Sequence, residues 1–280
     1  MNRSFVLLLA VLAFVASSAG RAADATNEVS IFADKRLEDA VRQQVFAKRY
    51  TNSPITAADV VSVSTVNANG RGITDLAGLE HCKALASADL AGNQITDLAP
   101  LKGMRQLQYL NLATNRIKDL RPLATIPALQ YIELSHNQVT DIAPLAGSTN
   151  LASLYLGRNK LKSLGAVTNL PRLVSLHAEF NQVSSVAGFQ NLRGLSTLSL
   201  SHNRVSDIAP LASLRAPTYL FLDFNKIKDL APLHAALTND LAGPKNFAPF
   251  VNLYLHDNPF SSASKKLLAG WKKLGLRVDD

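Results

Sequence analysis

The sequence predicts a solenoid of the α/β class, in which short repeats stack and contribute their strands to one parallel β-sheet. From residue 85 the chain repeats every 22 residues, and each repeat opens with an alternating apolar pattern that fits a half-buried strand. A repeat of this size cannot bury its own apolar face, so neighbouring repeats must stack around one core. One asparagine recurs at the same point of each repeat, and we expect a structural ladder of Asn93, Asn115, Asn137, Asn159, Asn181, Asn203, Asn225 and, after a longer step, Asn258.

The N-terminus is predicted to be an export signal, residues 1–22. Arg3 is followed by an unbroken apolar run over residues 5–16 and then by small residues that suit a cleavage site. The apolar run is shorter than the roughly 20 residues that span a bilayer. We therefore expect cleavage near Ala22 or Ala25, release into the periplasm or the medium, and no membrane span in the mature chain.

The composition restricts the class further. At 47% hydrophobic residues the chain can bury a sizeable core, and its lone cysteine, Cys82, cannot form an intramolecular disulfide. We expect Cys82 to be a small buried apolar residue. The formal net charge is +8, but lysine and arginine are spread along the chain without a dense basic run. Nucleic-acid binding is therefore not expected.

Residues 23–62 are predicted to form a helical N-terminal cap, which a solenoid needs to cover its first repeat. Residues 33–48 have the pattern of an amphipathic helix. Thr56, with Asp59 three residues later, has the spacing of a capping box at the start of a second helical segment. The first repeat follows in degenerate form, with Arg71 in place of the ladder asparagine.

The second half of each repeat has its own signature, an acid followed three residues later by a proline. An acid that accepts backbone N–H bonds before a proline suits the start of a short helical turn. The return path is short, so 3₁₀ turns fit better than α-helices. In two repeats Ser163 and Ser185 replace the acid, and either the return path loosens there or serine caps the turn. The acids are Asp97, Asp119, Asp141, Asp207 and Asp229.

The C-terminal end departs from the repeat. The solenoid is predicted over residues 63–258, and the last step between ladder asparagines is longer because of an insertion within residues 233–249. A surface loop and a functional addition are both open interpretations of this insertion. Residues 259–280 are predicted to form a closing cap with a helix and a short strand. Its apolar helix face would comprise Leu267, Leu268, Trp271 and Leu274.

The repeat pattern Asn-x-Ile-x-Asp-Leu-x-Pro-Leu resembles the leucine-rich repeats of the bacterial internalin family. The helical cap followed by residues 72–85 also resembles the internalin N-terminal cap, including Cys82, and the likeness covers roughly residues 28–280. The resemblance implies a right-handed, curved leucine-rich-repeat solenoid. Its parallel sheet would line the concave face, mostly 3₁₀ turns would form the convex face, and the concave face would recognise a host surface protein.

The candidate binding surface follows from the alternation of each strand. The third, fifth and seventh residues of each repeat point away from the core, and the eighth lies at the rim. Five of the six tyrosines fall in these outward positions. Exposed tyrosines are typical of interfaces, although aromatic rings can also simply stack along a sheet. The candidate partner-binding residues are Tyr109, Tyr131, Glu133, Tyr155, His177, Glu179, Tyr219, Phe221, Asp223 and Phe224.

Charged residues add a second feature to this surface. Lysines and arginines just after the ladder asparagines form a basic flank at one edge of the sheet, whereas acids lie on its outward face. This arrangement would steer a partner of mixed charge. The basic flank comprises Arg116, Lys118, Lys160, Lys162, Arg204, Lys226 and Lys228.

These features predict a non-catalytic, exported protein-binding module, such as a secreted virulence or adhesion factor. Its partner would be a host or envelope protein, and the chain is expected to be a monomer. The alternatives are an envelope scaffold or glycan-binding protein and an inhibitor of an extracellular enzyme. No catalytic motif such as G-x-S-x-G or H-E-x-x-H occurs, and the histidines are scattered. We therefore expect no enzymatic activity, no metal and no cofactor.

Overall fold

The computed structural model describes residues 29–280, so the predicted export signal and its cleavage site lie outside the described residues. Within these residues, ten short strands form one parallel sheet in strict sequence order, which confirms the predicted solenoid. Each strand pairs with the next in register one repeat later, as Tyr109 does with Tyr131. The strands are β1 Thr65–Asn67, β2 Ser87–Asp89, β3 Tyr109–Asn111, β4 Tyr131–Glu133, β5 Ser153–Tyr155, β6 Ser175–His177, β7 Thr197–Ser199, β8 Tyr219–Phe221, β9 Asn252–Tyr254 and β10 Arg277–Asp279.

The core runs the length of the sheet as columns of leucine, isoleucine and valine. In β3, for example, Leu110 is fully buried between the outward-facing Tyr109 and Asn111. The same position is apolar and buried in every strand from β1 to β9. Burying these columns supplies the main favourable free energy of folding, at about 25 cal/mol per Å² of apolar surface. We call the solvent side of the sheet the concave face.

Short 3₁₀ turns carry the chain back between strands, as predicted. Before most of these turns a carboxylate accepts a backbone N–H two residues later, as Asp97 does from Ala99 at 2.8 Å. Serine does the same where it replaces the acid, since Ser163 Oγ accepts from the Gly165 N–H at 3.1 Å. The structure thus favours serine capping over a loosened return path. The turns are Leu79–His81, Ala99–Leu101, Arg121–Thr125, Ala143–Leu145, Gly165–Asn169, Phe189–Asn191 and Ala209–Ser213.

The N-terminal segment contains two short helices, α1 Lys35–Arg42 and α2 Ala57–Val60. The expectation of one helix over residues 33–48 was wrong, because the chain turns back after Arg42. The Arg42 guanidinium donates to the carbonyl groups of Thr51 and Ser53 at 3.1 and 2.8 Å and holds the returning segment against the helix. At the start of α2, Asp59 accepts from the Thr56 N–H at 2.7 Å, as in a capping box.

The insertion forms a third helix, α3 Ala231–Ala242, in place of the usual 3₁₀ turn. The segment was expected to be either a surface loop or a functional addition. Its first part is helical, with Leu233 and Leu237 in the common core, whereas residues 242–246 are exposed. Near the end of α3, the buried Asp240 carboxylate accepts the backbone N–H groups of Asn246, Phe247 and Ala248 in the segment that follows. The inserted residues therefore thicken the convex layer beside the last repeat.

The chain ends with helix α4 Ser262–Lys273 and strand β10. Trp271 is completely buried, and its Nε1–H donates to His234 Nδ1 at 2.8 Å, which links α4 to α3. Leu268 is buried and Leu267 is half-buried, as the predicted helix face requires. Leu274 was wrongly placed on that face. It follows the last residue of α4, where the chain turns into β10, and is 57% exposed.

Candidate functional site

The asparagine ladder gives the candidate site its rigid base. At Asn137, Nδ2 donates to the carbonyl groups of Leu134 in its own repeat and Leu112 in the preceding repeat, at 3.0 and 2.9 Å. Its Oδ1 accepts the Ile117 N–H at 2.9 Å. All the predicted ladder asparagines repeat this pattern, so each turn beside the concave face is bonded to the turn before it. The ladder residues Asn93, Asn115, Asn159, Asn181, Asn203, Asn225 and Asn258 make the equivalent bonds.

The central ring stack comprises Tyr109, Tyr131, Tyr155 and His177 and crosses four consecutive strands. Tyr109 and Tyr131 are stacked with ring centroids 4.5 Å apart, and Tyr155 and His177 are stacked at 4.7 Å. Tyr131 and Tyr155 are tilted by 41° at 5.3 Å, which is the widest step of the stack. Such pairs contribute about 0.5–1.5 kcal/mol each beyond the burial of their surface. The stack therefore holds these half-buried side chains in defined positions.

A second cluster lies near the C-terminal end of the sheet. Phe221 stacks on Tyr254 of the neighbouring strand, with centroids 4.5 Å apart, and lies 6.0 Å from Tyr219 on its own strand. Tyr219 is 41% exposed. This C-terminal cluster therefore presents an aromatic surface to solvent.

The rim of the sheet carries a third stack, which comprises Arg158, Phe180, His202 and Phe224. The His202 ring lies between Phe180 and Phe224, 4.1 Å from each, and the Arg158 guanidinium lies 3.9 Å from the Phe180 ring centroid. All four residues have positive φ, between 53° and 56°. Residues other than glycine rarely adopt this backbone conformation. The turn before each ladder asparagine imposes it, and in the repeat of β2 Gly92 occupies the equivalent place.

Acidic side chains flank the central ring stack. Glu133 lies directly opposite Tyr155, which in turn lies opposite His177. The Glu133 carboxylate accepts the Ser135 N–H at 2.7 Å. Burial lowers the pKa of His177, and the negative charges of Glu179 and Glu133 act against this shift. Burial, followed by the charge of Glu133, raises the pKa of Tyr131.

Glu179 occupies an unusual place beside the strand that ends at Tyr155. A Cβ atom on Gly157 would lie 2.5 Å from Glu179 Oε1 and 3.3 Å from Ser135 Oγ, so the Glu179 carboxylate fills the space that a side chain at residue 157 would occupy. The Glu179 Oε2 atom is buried and has no hydrogen-bond partner among residues 29–280. Leaving a buried acceptor unpaired is costly, and such an atom is a candidate contact for a ligand.

The predicted binding residues thus fall into three separate groups. Tyr109, Tyr131, Tyr155 and His177 form the central stack beside Glu133 and Glu179, whereas Tyr219 and Phe221 belong to the C-terminal cluster. Asp223 lies beside that cluster, where it accepts from Ser201 Oγ at 3.0 Å and from the His256 N–H at 2.9 Å. Phe224 belongs instead to the rim stack.

The set of predicted binding residues omitted four aromatic or cationic side chains of these groups. The 22-residue spacing of residues 158, 180, 202 and 224 was the available signal for the rim stack, since equivalent positions in register must be neighbours. Tyr254 already counted among the five tyrosines in outward positions, although the insertion lengthens the step to its repeat. The omitted residues are Arg158, Phe180, His202 and Tyr254.

Other kinds of site are not apparent in the described part of the chain. Among residues 29–280, no group of three or more histidine, cysteine, aspartate and glutamate side chains is arranged to hold a metal ion. The helices of these residues are all too short or too polar to cross a membrane.

Comparisons with known proteins agree with this architecture. The family described as Leucine Rich repeats (2 copies) matches residues 83–125, 127–171 and 193–234. The structure of internalin C2 from Listeria monocytogenes is 32% identical, with a TM-score of 0.70, and the match covers 82% of this chain and 95% of that chain. A comparison with curated protein sequences finds no match.

More distant structures share the fold alone. A leucine-rich-repeat protein from Leptospira interrogans is 20% identical, with a TM-score of 0.57, over 72% of this chain and 62% of that chain. The ectodomain of the plant membrane receptor kinase GASSHO1/SCHENGEN3 from Arabidopsis thaliana is 18% identical, with a TM-score of 0.52, over 70% of this chain and 27% of that chain.

The stacked repeats, the asparagine ladder and the parallel sheet define a leucine-rich-repeat protein. Proteins of this class are generally non-catalytic modules that bind other proteins. Because internalin C2 matches along almost its whole length, the chain belongs to the internalin-like family of bacterial leucine-rich-repeat proteins.

Proposed function

We propose that this protein is an exported module that binds another protein through the aromatic surface of its concave face. The observation that carries the proposal is the central stack of Tyr109, Tyr131, Tyr155 and His177, which crosses four strands on the solvent side of the sheet. Rigid aromatic side chains with polar tips supply contact area at a low cost in conformational entropy. The asparagine ladder below them pre-organises the surface, which further reduces the cost of binding.

The size of the aromatic surface also supports a protein partner. A stable interface needs about 800 Å² from each protein, which exceeds what one ring cluster can offer. The central stack, the C-terminal cluster and the rim stack lie on one continuous sheet and together span strands β3 to β9. Export is supported by the signal-like pattern of residues 1–22 and by the relationship to the internalins. A role in adhesion or virulence is part of this proposal, as is action as a monomer.

An affinity capture from envelope and host-cell extracts tests this proposal. The bait is the purified protein, and a variant carrying Tyr109→Ala, Tyr131→Ala and Tyr155→Ala is compared with it. The matched control carries Phe46→Ala and Tyr50→Ala, which remove exposed aromatic side chains of the N-terminal cap. We expect a protein retained by the parent and the control and lost by the triple variant. Equal retention by all three baits would refute binding through the central stack.

Glycan binding by an envelope scaffold is the main alternative, and the ring geometry does not favour it. Sugars pack on free aromatic faces, whereas the central rings largely cover one another's faces at 4.5 to 5.3 Å. A glycan array would decide between the two functions, because binding of a saccharide that depends on Tyr155 would support the alternative. Inhibition of an extracellular enzyme would use the same surface, and the captured partner would reveal it.

A further inference from the structure

Positive and negative side chains are separated on this protein. The chain carries a formal charge of +8, yet the outward positions of β1 to β9 contain no lysine or arginine, and the rim positions that follow these strands contain one, Arg158, which stacks on Phe180. The residues of the basic flank are all exposed and lie beyond the ladder asparagines. The outward positions instead hold the acids Asp89, Glu133, Glu179 and Asp223. A surface of one sign on a protein of the opposite net charge favours partners of complementary charge.

The negative charge is concentrated beside the central stack. Glu133 on β4 and Glu179 just after β6 approach His177 closely enough for both charges to act on its pKa. The Glu179 carboxylate reaches over Gly157 towards Ser135, which follows Glu133 on the same side of the sheet. Two carboxylates therefore face a common region around the Tyr155 ring. The guanidinium of Arg158, at the rim beside Gly157, lies over the Phe180 ring.

The hydrogen bonds of these two carboxylates are incomplete. Glu133 Oε1 accepts the Ser135 N–H, whereas Glu179 Oε2 is buried and has no donor among residues 29–280. A carboxylate pairs best with a guanidinium, which offers two parallel N–H groups, and also pairs with an ammonium group. The rings of Tyr131 and Tyr155 are tilted apart beside Glu133, at the widest step of the stack. The two carboxylates therefore offer acceptor atoms to a cationic group beside the Tyr155 ring.

We propose that the concave face recognises a polypeptide segment rich in arginine or lysine, with one cationic group bound between Glu133 and Glu179 beside Tyr155. The inference rests on the proposed function, since it names the chemistry of the partner for the same surface. It also revises the expectation of a mixed-charge partner, because the acids and the basic flank lie on different parts of the surface.

Binding of short synthetic peptides tests this inference independently of any captured partner. The probe alternates alanine with arginine, and two counterparts replace arginine with its neutral isostere citrulline or with glutamate. Binding is measured by calorimetry and by chemical-shift changes of the tyrosine rings. We expect the arginine peptide to bind and to shift Tyr155, and the two counterparts to bind at least about tenfold more weakly, a difference of 1.4 kcal/mol.

Two charge-matched variants show whether the binding is local. The double variant Glu133→Gln and Glu179→Gln keeps the shape of both side chains. We expect it to bind the arginine peptide about tenfold more weakly, or weaker still. Asp39→Asn with Glu80→Gln changes the net charge equally, away from the sheet, and should bind like the parent. An equal loss in both variants, or no loss in the first, would overturn the proposal.

The remaining outcomes are also decisive. Preference for the glutamate peptide would overturn the inference and direct attention to the basic flank. If no peptide binds, the inference fails, while a partner captured in a tyrosine-dependent manner would leave the proposed function intact. If capture fails but the arginine peptide binds through Glu133 and Glu179, the cationic site stands and the proposed role of the tyrosines does not.

Discussion

At the scale of single residues, the ladder position requires a side chain whose terminal group both donates and accepts hydrogen bonds. Asn159 Nδ2 donates to the carbonyl groups of Leu156 and Leu134, and its Oδ1 accepts the Val139 N–H. An aspartate would lack the donors, and a leucine would leave all of these buried backbone groups unpaired. This requirement explains why asparagine recurs without change while the residues around it vary.

Replacement of Asn159 by alanine should lower the free energy of unfolding by about 1–3 kcal/mol, because buried backbone groups lose their partners. Urea denaturation followed by circular dichroism measures this loss. Asn169→Ala serves as the control, since Asn169 is exposed on a 3₁₀ turn. Equal effects of the two substitutions would show that the ladder bonds contribute little.

Cys82 should not react with thiol reagents while the protein is folded. It is 1% exposed, and burial, with a smaller effect from the charge of Glu80, raises the pKa of its thiol to about 12. The thiolate is the reactive form, so little of it exists near neutral pH. A disulfide-exchange assay should show modification only across the denaturant range in which the protein unfolds. Rapid, complete modification of the folded protein would contradict the buried position.

At the scale of elements, a buried carboxylate joins the N-terminal cap to the first repeat. Asp34 lies at the start of α1, where it accepts from the Arg36 guanidinium at 2.8 and 2.9 Å and from the Thr74 N–H at 2.9 Å. Within α1, Glu38 is almost fully buried and pairs with Arg42. The Asp34 carboxylate therefore bonds the cap to the first repeat, and the pair of Glu38 and Arg42 stabilises α1 within the cap.

We expect these carboxylates to make the stability of the N-terminal cap sensitive to acid. Hydrogen bonds from Arg36 hold the pKa of Asp34 well below its ordinary value, although burial acts in the opposite direction. Burial raises the pKa of Glu38, but hydrogen bonds from Lys35, Ser30 and Arg42 outweigh it and lower the pKa overall. The stabilisation from such groups is complete above the unfolded-state values of about 4 and is lost as the pH falls through the lower folded-state values.

Hydrogen exchange measured at pH 6 and at pH 3 should reveal this loss as faster exchange of α1 amides, relative to those of the central strands. Asp34→Asn should give most of the same increase already at pH 6. A cap whose protection relative to β4 is the same at both pH values would contradict the role assigned to these groups.

At the scale of the whole molecule, each repeat contacts mainly its neighbours, so stability is distributed along the solenoid and the two ends are its weakest points. At the C-terminal end, Trp271 is completely buried and bonded to His234 of α3. Strand β10 then pairs with β9, and His256 bonds to Asp279 at 2.8 Å across this last pair. The insertion and the closing helix therefore act together as one cap.

Trp271→Ala should destabilise this end by about 3–5 kcal/mol, because it removes a large buried side chain. We expect hydrogen exchange to increase in β9 and β10 and to remain unchanged in β2 and β3. Trp271→Phe removes the Nε1–H donor but much less volume than Trp271→Ala, so its effect should be smaller. A uniform increase along the entire sheet after Trp271→Ala would indicate that the repeats unfold as a single cooperative unit.

The sequence alone determined the repeat, the parallel sheet and the ladder, because a strict period of 22 residues places equivalent side chains in register. The alternation of core-facing and outward-facing residues within each strand also determined which tyrosines point away from the core. These features depend on local pattern, which a sequence displays directly.

Only the tertiary structure decided how the outward side chains meet. The tilt between Tyr131 and Tyr155, the rim stack around His202 and the reach of Glu179 over Gly157 depend on side-chain conformations in neighbouring repeats. The helical form of the insertion likewise depended on Leu233 and Leu237 finding space in the core beside the last repeat. Such contacts join residues that are distant in the chain, and their geometry is determined by packing rather than by periodicity.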